Sequence, residues 1–153
     1  MIAVIQRVNN ATVYADGELG GSIDRGLYIL LGVAKGDEQE DARLLAEKIS
    51  KLRIFSDENG KMNLSVMDVD GEILVVSNFT LNANYSHGNR PDYFASATPA
   101  EANTLYEYFK ELMAPKTKKI ASGVFGADMR TEMSTDGPVT IVMDSAVLKG
   151  GRK

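Results

Sequence analysis

The stretch from Ile2 to Val33 carries four alternating or β-branched runs, Ile2 to Val8, Thr12 to Ala15, Leu19 to Ile23 and Leu27 to Val33. They are separated by Asn9-Asn10, Asp16-Gly17 and Asp24-Arg25-Gly26, pairs and triplets that favour tight turns. Runs this short bury an apolar face only by pairing with one another. The opening of the chain is therefore predicted to be an antiparallel meander, which commits the molecule to a sheet.

Two helices are predicted to cover that sheet. Asp37 is placed to cap the first through Glu40, and Ala42, Leu45, Ala46, Ile49 and Leu52 share one face at helical spacing. Thr98-Pro99-Ala100-Glu101 combines an N-cap, a proline at the first helical position and an acid at the third, launching a helix through Leu105, Tyr108, Phe109 and Leu112 that Pro115 stops. Between them the Ser56-to-Gly60 cluster reads as a turn, and Ile73-Leu74-Val75-Val76 as a buried strand running to Asn78. Ile120 to Phe125, Met129 to Met133 and Val139 to Asp144 have the strand–turn–strand look of a closing hairpin. The expected architecture is α/β with α+β character: an extensive, largely antiparallel, barrel-like sheet with two main helices packed on it. At 153 residues one domain spanning 1–153 is expected, large enough to bury about two thirds of its unfolded surface.

Composition narrows the chemistry. The absence of cysteine removes thiol nucleophiles, disulfides and thiolate zinc sites, and a single histidine leaves only scattered carboxylates as metal ligands, so neither metal nor cofactor is expected. Met1 to Arg7 has no basic region leading into a long apolar run, and Leu27 to Val33 is far short of the roughly 20 residues that span a bilayer, so a cytoplasmic protein without membrane contact is expected. A net charge of −4 argues against broad coating of nucleic acid. Lys116, Lys118 and Lys119, and the tail Lys149, Arg152 and Lys153, are read as solvated charge runs that leave room for local phosphate contact.

Two segments stand out as chemistry: Ser77-Asn78-Phe79-Thr80-Leu81, at the end of a strand pattern, and Thr135-Asp136-Gly137-Pro138-Val139-Thr140. A threonine ending a β-run is commonly just a strand former. Here Ser77 and Thr80 supply hydroxyls while the amides of Phe79 and Thr80 can point at one oxygen, as an ester's tetrahedral intermediate requires. Gly137-Pro138 is either an ordinary turn or, with a cis bond, a rigid backbone probe suited to testing chirality. Arg7 is either an exposed-face residue or a fixed donor to a carbonyl or carboxylate. Gly123 to Met129 is either core packing or the floor of a pocket. A Ser77–His87–Asp92 triad is conceivable, but no Gly-x-Ser-x-Gly elbow accompanies it.

Both segments resemble the signature motifs of the D-aminoacyl-tRNA deacylases, whose patterns read approximately Ser-Gln-Phe-Thr-Leu and Asn-Asp-Gly-Pro-Val-Thr. The likeness runs along nearly the whole chain, through Met1 to Val8, Arg53 to Asp57, Gly60 to Leu64, Gly88-Asn89-Arg90-Pro91 and Phe125 to Met129. Asn78 departs from the usual glutamine and is one methylene shorter, and Thr135 departs from the usual asparagine. The resemblance implies a homodimer that hydrolyses the ester joining a D-amino acid to the 3′ end of tRNA, and glycine misattached to tRNA as well. It implies a cis Gly137-Pro138 that enters the partner's pocket, with Ser77, Phe79 and Thr80 as catalytic residues. Asn78, Ala127 and Met129 would then contact substrate, and Arg7 would brace the Gly-Pro element. Without a convincing base in the sequence, water is the expected nucleophile, positioned and stabilised by the protein and helped by a ribose hydroxyl of the substrate. The rival readings are a covalent esterase using Thr80 or Ser77 and a non-catalytic tRNA-binding dimer.

Overall fold

In the computed structural model, which describes residues 1–151, β1 (Ile2–Ala15) is a single 14-residue strand. Asn9-Asn10 is therefore not a turn. On either side of it Val8 faces Thr135 and Asn10 faces Ser134, so two steps along β1 oppose one step of the neighbouring strand and Asn9 sits in a β-bulge. The bulge changes which side chains point inward. Before it Ala3 and Ile5 face the helices; after it Ala11 and Val13 face the interior of a barrel.

The rest of the sheet is arranged around β1. β2 (Glu18–Ile23) pairs with its second half and β3 (Gly26–Gly32) with its first half, both antiparallel, so the hairpin at Asp16-Gly17 forms but β2 and β3 are not neighbours in a meander. β6 (Glu72–Ser77) then joins β3 in parallel and β7 (Ile120–Ser122) joins β6 in parallel. The sheet curls until β7 approaches β2, where the Lys119 ammonium donates to the Ser22 carbonyl at 2.6 Å, and the barrel is nearly closed. A separate small hairpin is formed by β4 (Phe55–Ser56) and β5 (Met62–Leu64), turned by the Asp57 carboxylate, which accepts from the Asn59 and Lys61 amides.

β6 reads as a continuous apolar run because both of its faces are covered. Ile73 and Val75 pack with Leu27, Ile29 and Leu31 beneath the helices, while Leu74 and Val76 point into the barrel beside Tyr28, Val13 and Ile23. The helices are α1 (Gln39–Ser50), burying Ala42, Leu45, Ala46 and Ile49, and α2 (Pro99–Met113), burying Leu105, Tyr106, Phe109 and Met113. The Thr98–Glu101 capping box of α2 forms as the sequence predicts. For α1 the cap lies one residue later: Glu38 pairs with Asp41 in the box, while Asp37 turns back to accept from the Ala34 amide at 2.6 Å.

The predicted closing hairpin does not form: Ile120 to Phe125 supplies only β7, beside β6, whereas Met129 to Met133 and Val139 to Asp144 belong to one strand, β8 (Met129–Asp144), antiparallel to β1 on both sides of an interruption. Gln6 faces Thr140 and Val8 faces Thr135, so two steps of β1 oppose five of β8, and Asp136-Gly137-Pro138-Val139 is extruded from the ladder. Proline has no N–H to give a ladder, which is why the chain leaves it here and resumes beyond. Arg152 and Lys153, part of the basic tail, lie outside the described residues. Among the described residues no helix is long and apolar enough to cross a membrane.

Candidate active site

β3, β6 and β7 run parallel, and at their carboxyl ends lies a cavity of about 700 Å³. Val76, Ser77, Asn78 and Phe79 form the side that continues from β6. Tyr28 and Leu30 of β3, Tyr93, Ser96 and Ala97 of the following loop, Pro99, Ala102 and Tyr106 of α2, and the Phe125–Met129 segment complete it. The segment from Phe125 to Met129, which the sequence left between core and pocket, thus lines the cavity through Phe125, Gly126, Ala127 and Met129.

Immediately after β6 the chain turns through a short 3₁₀ helix, Phe79–Asn82. Gly32 permits this turn to lie against β3: a Cβ there would stand 3.0 Å from the Leu81 Cβ and 3.1 Å from the Asn78 carbonyl. The Asn78 carbonyl accepts from Leu81 and the Thr80 carbonyl from Ala83, as a 3₁₀ turn requires. The amides of Phe79 and Thr80 open the turn and have no carbonyl behind them. Among the described residues no protein group accepts from either, which leaves two adjacent donors for an oxygen beside the cavity. The Thr80 hydroxyl itself is exposed, donates to the Asn78 side-chain oxygen and does not line the cavity.

Among the described residues no ionisable acid or base lines the cavity apart from tyrosines. Burial pushes the Tyr106 phenol up to about 12, and its hydroxyl donates to the Val75 carbonyl at 3.0 Å. Burial likewise raises the Tyr28 phenol, which sits 3.0 Å from the Thr131 hydroxyl across the barrel. Both stay protonated at neutral pH and serve, with Ser77, Asn78, Ser96 and Thr131, as polar groups in a largely apolar wall. The conceivable triad is not assembled. Asp92 accepts from the Asn84 side chain and the Phe94 amide, and among the described residues neither it nor Ser77 is hydrogen-bonded to His87.

Arg7, Gly137 and Pro138 lie elsewhere, outside this cavity of their own chain. The Gly137-Pro138 bond is cis, and both residues are exposed on the extruded loop of β8, although Gly137 is held at φ +133° with Val139 too close for a Cβ. Arg7 is buried, not on an exposed face. Its Nε donates to the Asp136 carbonyl at 3.2 Å and lies 3.1 Å from the Asp136 carboxylate, while another guanidinium nitrogen donates to the Ile54 carbonyl at 2.7 Å. That planar fork fixes the base of the Gly-Pro loop to the chain entering β4.

The family described as D-Tyr-tRNA(Tyr) deacylase has a sequence model that matches residues 4–144. A protein of Geotalea daltonii named D-aminoacyl-tRNA deacylase is 52% identical over 145 residues, covering 95% of this chain and 97% of that one. A Dictyoglomus turgidum protein of the same name is 50% identical over 153 residues, covering 100% and 98%. This chain belongs to the D-Tyr-tRNA(Tyr) deacylase family. Among solved structures, one titled c-Myc DNA Unwinding Element Binding Protein superposes with a TM-score of 0.88 at 40% identity, over 94% of this chain and 98% of the other. Another, described as a probable eukaryotic D-amino acid tRNA deacylase, shares the fold with a TM-score of 0.79 at 14% identity, over 94% and 98%.

In this deacylase-family member, residue order brings Ser77, Asn78, Phe79, Ala127 and Met129 to one cavity, with Thr80 beside it. The sequence reading missed Tyr28, Thr131, Tyr93, Ser96 and Tyr106. One signal was present: Tyr28 shares strand parity with Leu30 in an aliphatic run, and a buried phenol there requires a polar partner.

Proposed function

We propose that this protein hydrolyses the ester of D-aminoacyl-tRNA, releasing free D-amino acid and tRNA as a chiral proofreading step in translation. The observation that carries the reading is the pair of amides at Phe79 and Thr80, unpartnered among the described residues, beside a cavity whose described wall holds no carboxylate, imidazole or ammonium. Family membership supplies the substrate class. Water attacks the ester carbonyl carbon, and the carbonyl oxygen takes the negative charge and is held by the two amides. The intermediate collapses by breaking the bond to the 3′ ribose oxygen, which leaves with a proton. The neighbouring ribose hydroxyl of the substrate relays that proton, since no side chain of the cavity is a base at neutral pH. Glycyl-tRNA is a substrate too, because a gate that rejects L side chains does not reject a hydrogen.

The same reading makes the working unit a homodimer in the cytoplasm, each Gly137-Pro138 loop completing the other subunit's cavity. Two features support it: the loop is exposed and does not line its own cavity, and β8 is a 16-residue strand that pairs only with β1 among the described residues, leaving its other edge open. The covalent esterase is disfavoured by the engaged Thr80 hydroxyl and the unassembled triad. The deciding experiment measures deacylation of D- and L-tyrosyl-tRNA by chelator-treated protein. Hydrolysis of the D form alone is expected. Equal hydrolysis of both, loss of activity on chelation, or binding of charged tRNA without deacylation would refute it.

A further inference from the structure

The chain has six tyrosines and five phenylalanines, and only three of them are strongly exposed: Phe79 at 59%, Tyr85 at 82% and Phe94 at 78%. All three belong to the excursion from 79 to 94, whose two ends supply Phe79 and Tyr93 to the cavity wall. Exposed rings on a slack loop would fold down onto apolar neighbours. This loop is not slack. Asn84 and Asp92 exchange backbone hydrogen bonds at 2.8 and 3.0 Å, and the Asn84 side-chain oxygen accepts from both the amide and the hydroxyl of Ser86. The Asp92 carboxylate accepts from the Phe94 amide, and Phe79 meets Tyr93 edge to face at 5.1 Å. Polar residues interleave the rings, and Arg90 between them is exposed and in no ion pair among the described residues.

Rigidly presented aromatics, separated by polar positions and accompanied by an unpaired guanidinium, match what single-stranded nucleic acid needs: π-faces for bases and a cation for the backbone. A protein partner would favour a contiguous apolar patch. We propose that Tyr85 and Phe94 form a stacking platform for the unpaired nucleotides immediately upstream of the acylated 3′-terminal nucleotide, with Arg90 on their phosphates. The proposal rests on the deacylase reading, which places the terminal ester in the adjoining cavity.

The test compares wild-type protein with the Tyr85→Ala/Phe94→Ala variant on D-tyrosyl-tRNA and on D-tyrosyl-adenosine, which carries the ester but nothing upstream. KM for the tRNA should rise about tenfold or more, the order expected for lost base–aromatic stacking, with kcat unchanged. Turnover of D-tyrosyl-adenosine should not move, and Tyr85→Phe/Phe94→Tyr should restore KM. Arg90→Gln should flatten the salt dependence of binding by a slope of about 0.7. Anisotropy of a labelled RNA oligonucleotide ending in CCA gives a readout independent of hydrolysis. If the wild type cleaves neither ester yet binds this RNA through Tyr85 and Phe94, the deacylase reading fails and the platform stands. Equal losses on both esters, or unchanged KM and RNA affinity, would overturn the platform. So would dissociation of a dimer by the double variant, which would assign these rings to contact between copies.

Discussion

Thr80 concentrates the mechanistic question at the residue scale, because its hydroxyl and its amide lead to different enzymes. The hydroxyl is spent on Asn78, and the amide is free. Thr80→Ala should therefore lower the single-turnover rate by no more than about 10²–10³, the cost of one oxyanion donor, where loss of a serine-type nucleophile costs about 10⁶. A drop near the larger figure, with the circular dichroism spectrum intact, would mean the hydroxyl attacks. His87→Ala should keep nearly full activity in the same assay, since His87 is exposed on its loop and is not hydrogen-bonded to Ser77 or Asp92. The motif around position 79 was legible because a strand ending in hydroxyl and amide donors is a local pattern. The Tyr28–Thr131 pair was not: its members are 103 residues apart, and a one-dimensional pattern gives strand parity without saying which wall of the barrel stands opposite.

Elements divide in the same way between local and distant determination. The α2 start was readable from four consecutive residues, and it has a measurable contribution: Thr98→Ala should reduce stability by about 1 kcal/mol in a denaturant titration, by removing the side-chain acceptor of the Glu101 amide. The α1 start depends on partners far along the chain. Burial would raise the Asp41 carboxyl, but the Ser145 hydroxyl at 2.6 Å, the Lys149 ammonium at 2.9 Å and the Glu38 amide at 2.8 Å bring it down to about 2. A carboxyl depressed in the folded state contributes stability above its unfolded value of 3.8, and that contribution is lost as pH falls toward 2. Unfolding free energy measured across this window should decline less steeply in Asp41→Asn than in the wild type. A parallel decline would show that the C-terminal contacts leave the carboxyl unperturbed. β8 misled the sequence reading because Gly-Pro has the composition of a turn, whereas the continuity of that strand is decided by the uninterrupted β1 beside it.

For the whole molecule, the question is which cavity each Gly-Pro loop serves. If the protein is the homodimer proposed above, mixed dimers answer it. One subunit carries Gly137→Ala, whose Cβ would fall 2.6 Å from the Val139 amide; the other carries Ala127→Trp, which fills the cavity. If the loops act across the dimer, one composite site holds both defects and the other neither, so about half of the wild-type D-selective hydrolysis should remain. If each loop serves its own subunit, none should. The Asn9 bulge bears on the same architecture in a different way. It works as a phase correction, shifting one strand from the helix-facing layer to the barrel interior midway along its length. The count of residues between Val8 and Ala11 is thereby as binding as their chemistry, since removing one would turn Ala11 and Val13 outward together. Along this strand, then, a one-residue insertion or deletion should cost more than a conservative exchange of any one side chain, because it misplaces every inward residue beyond it at once.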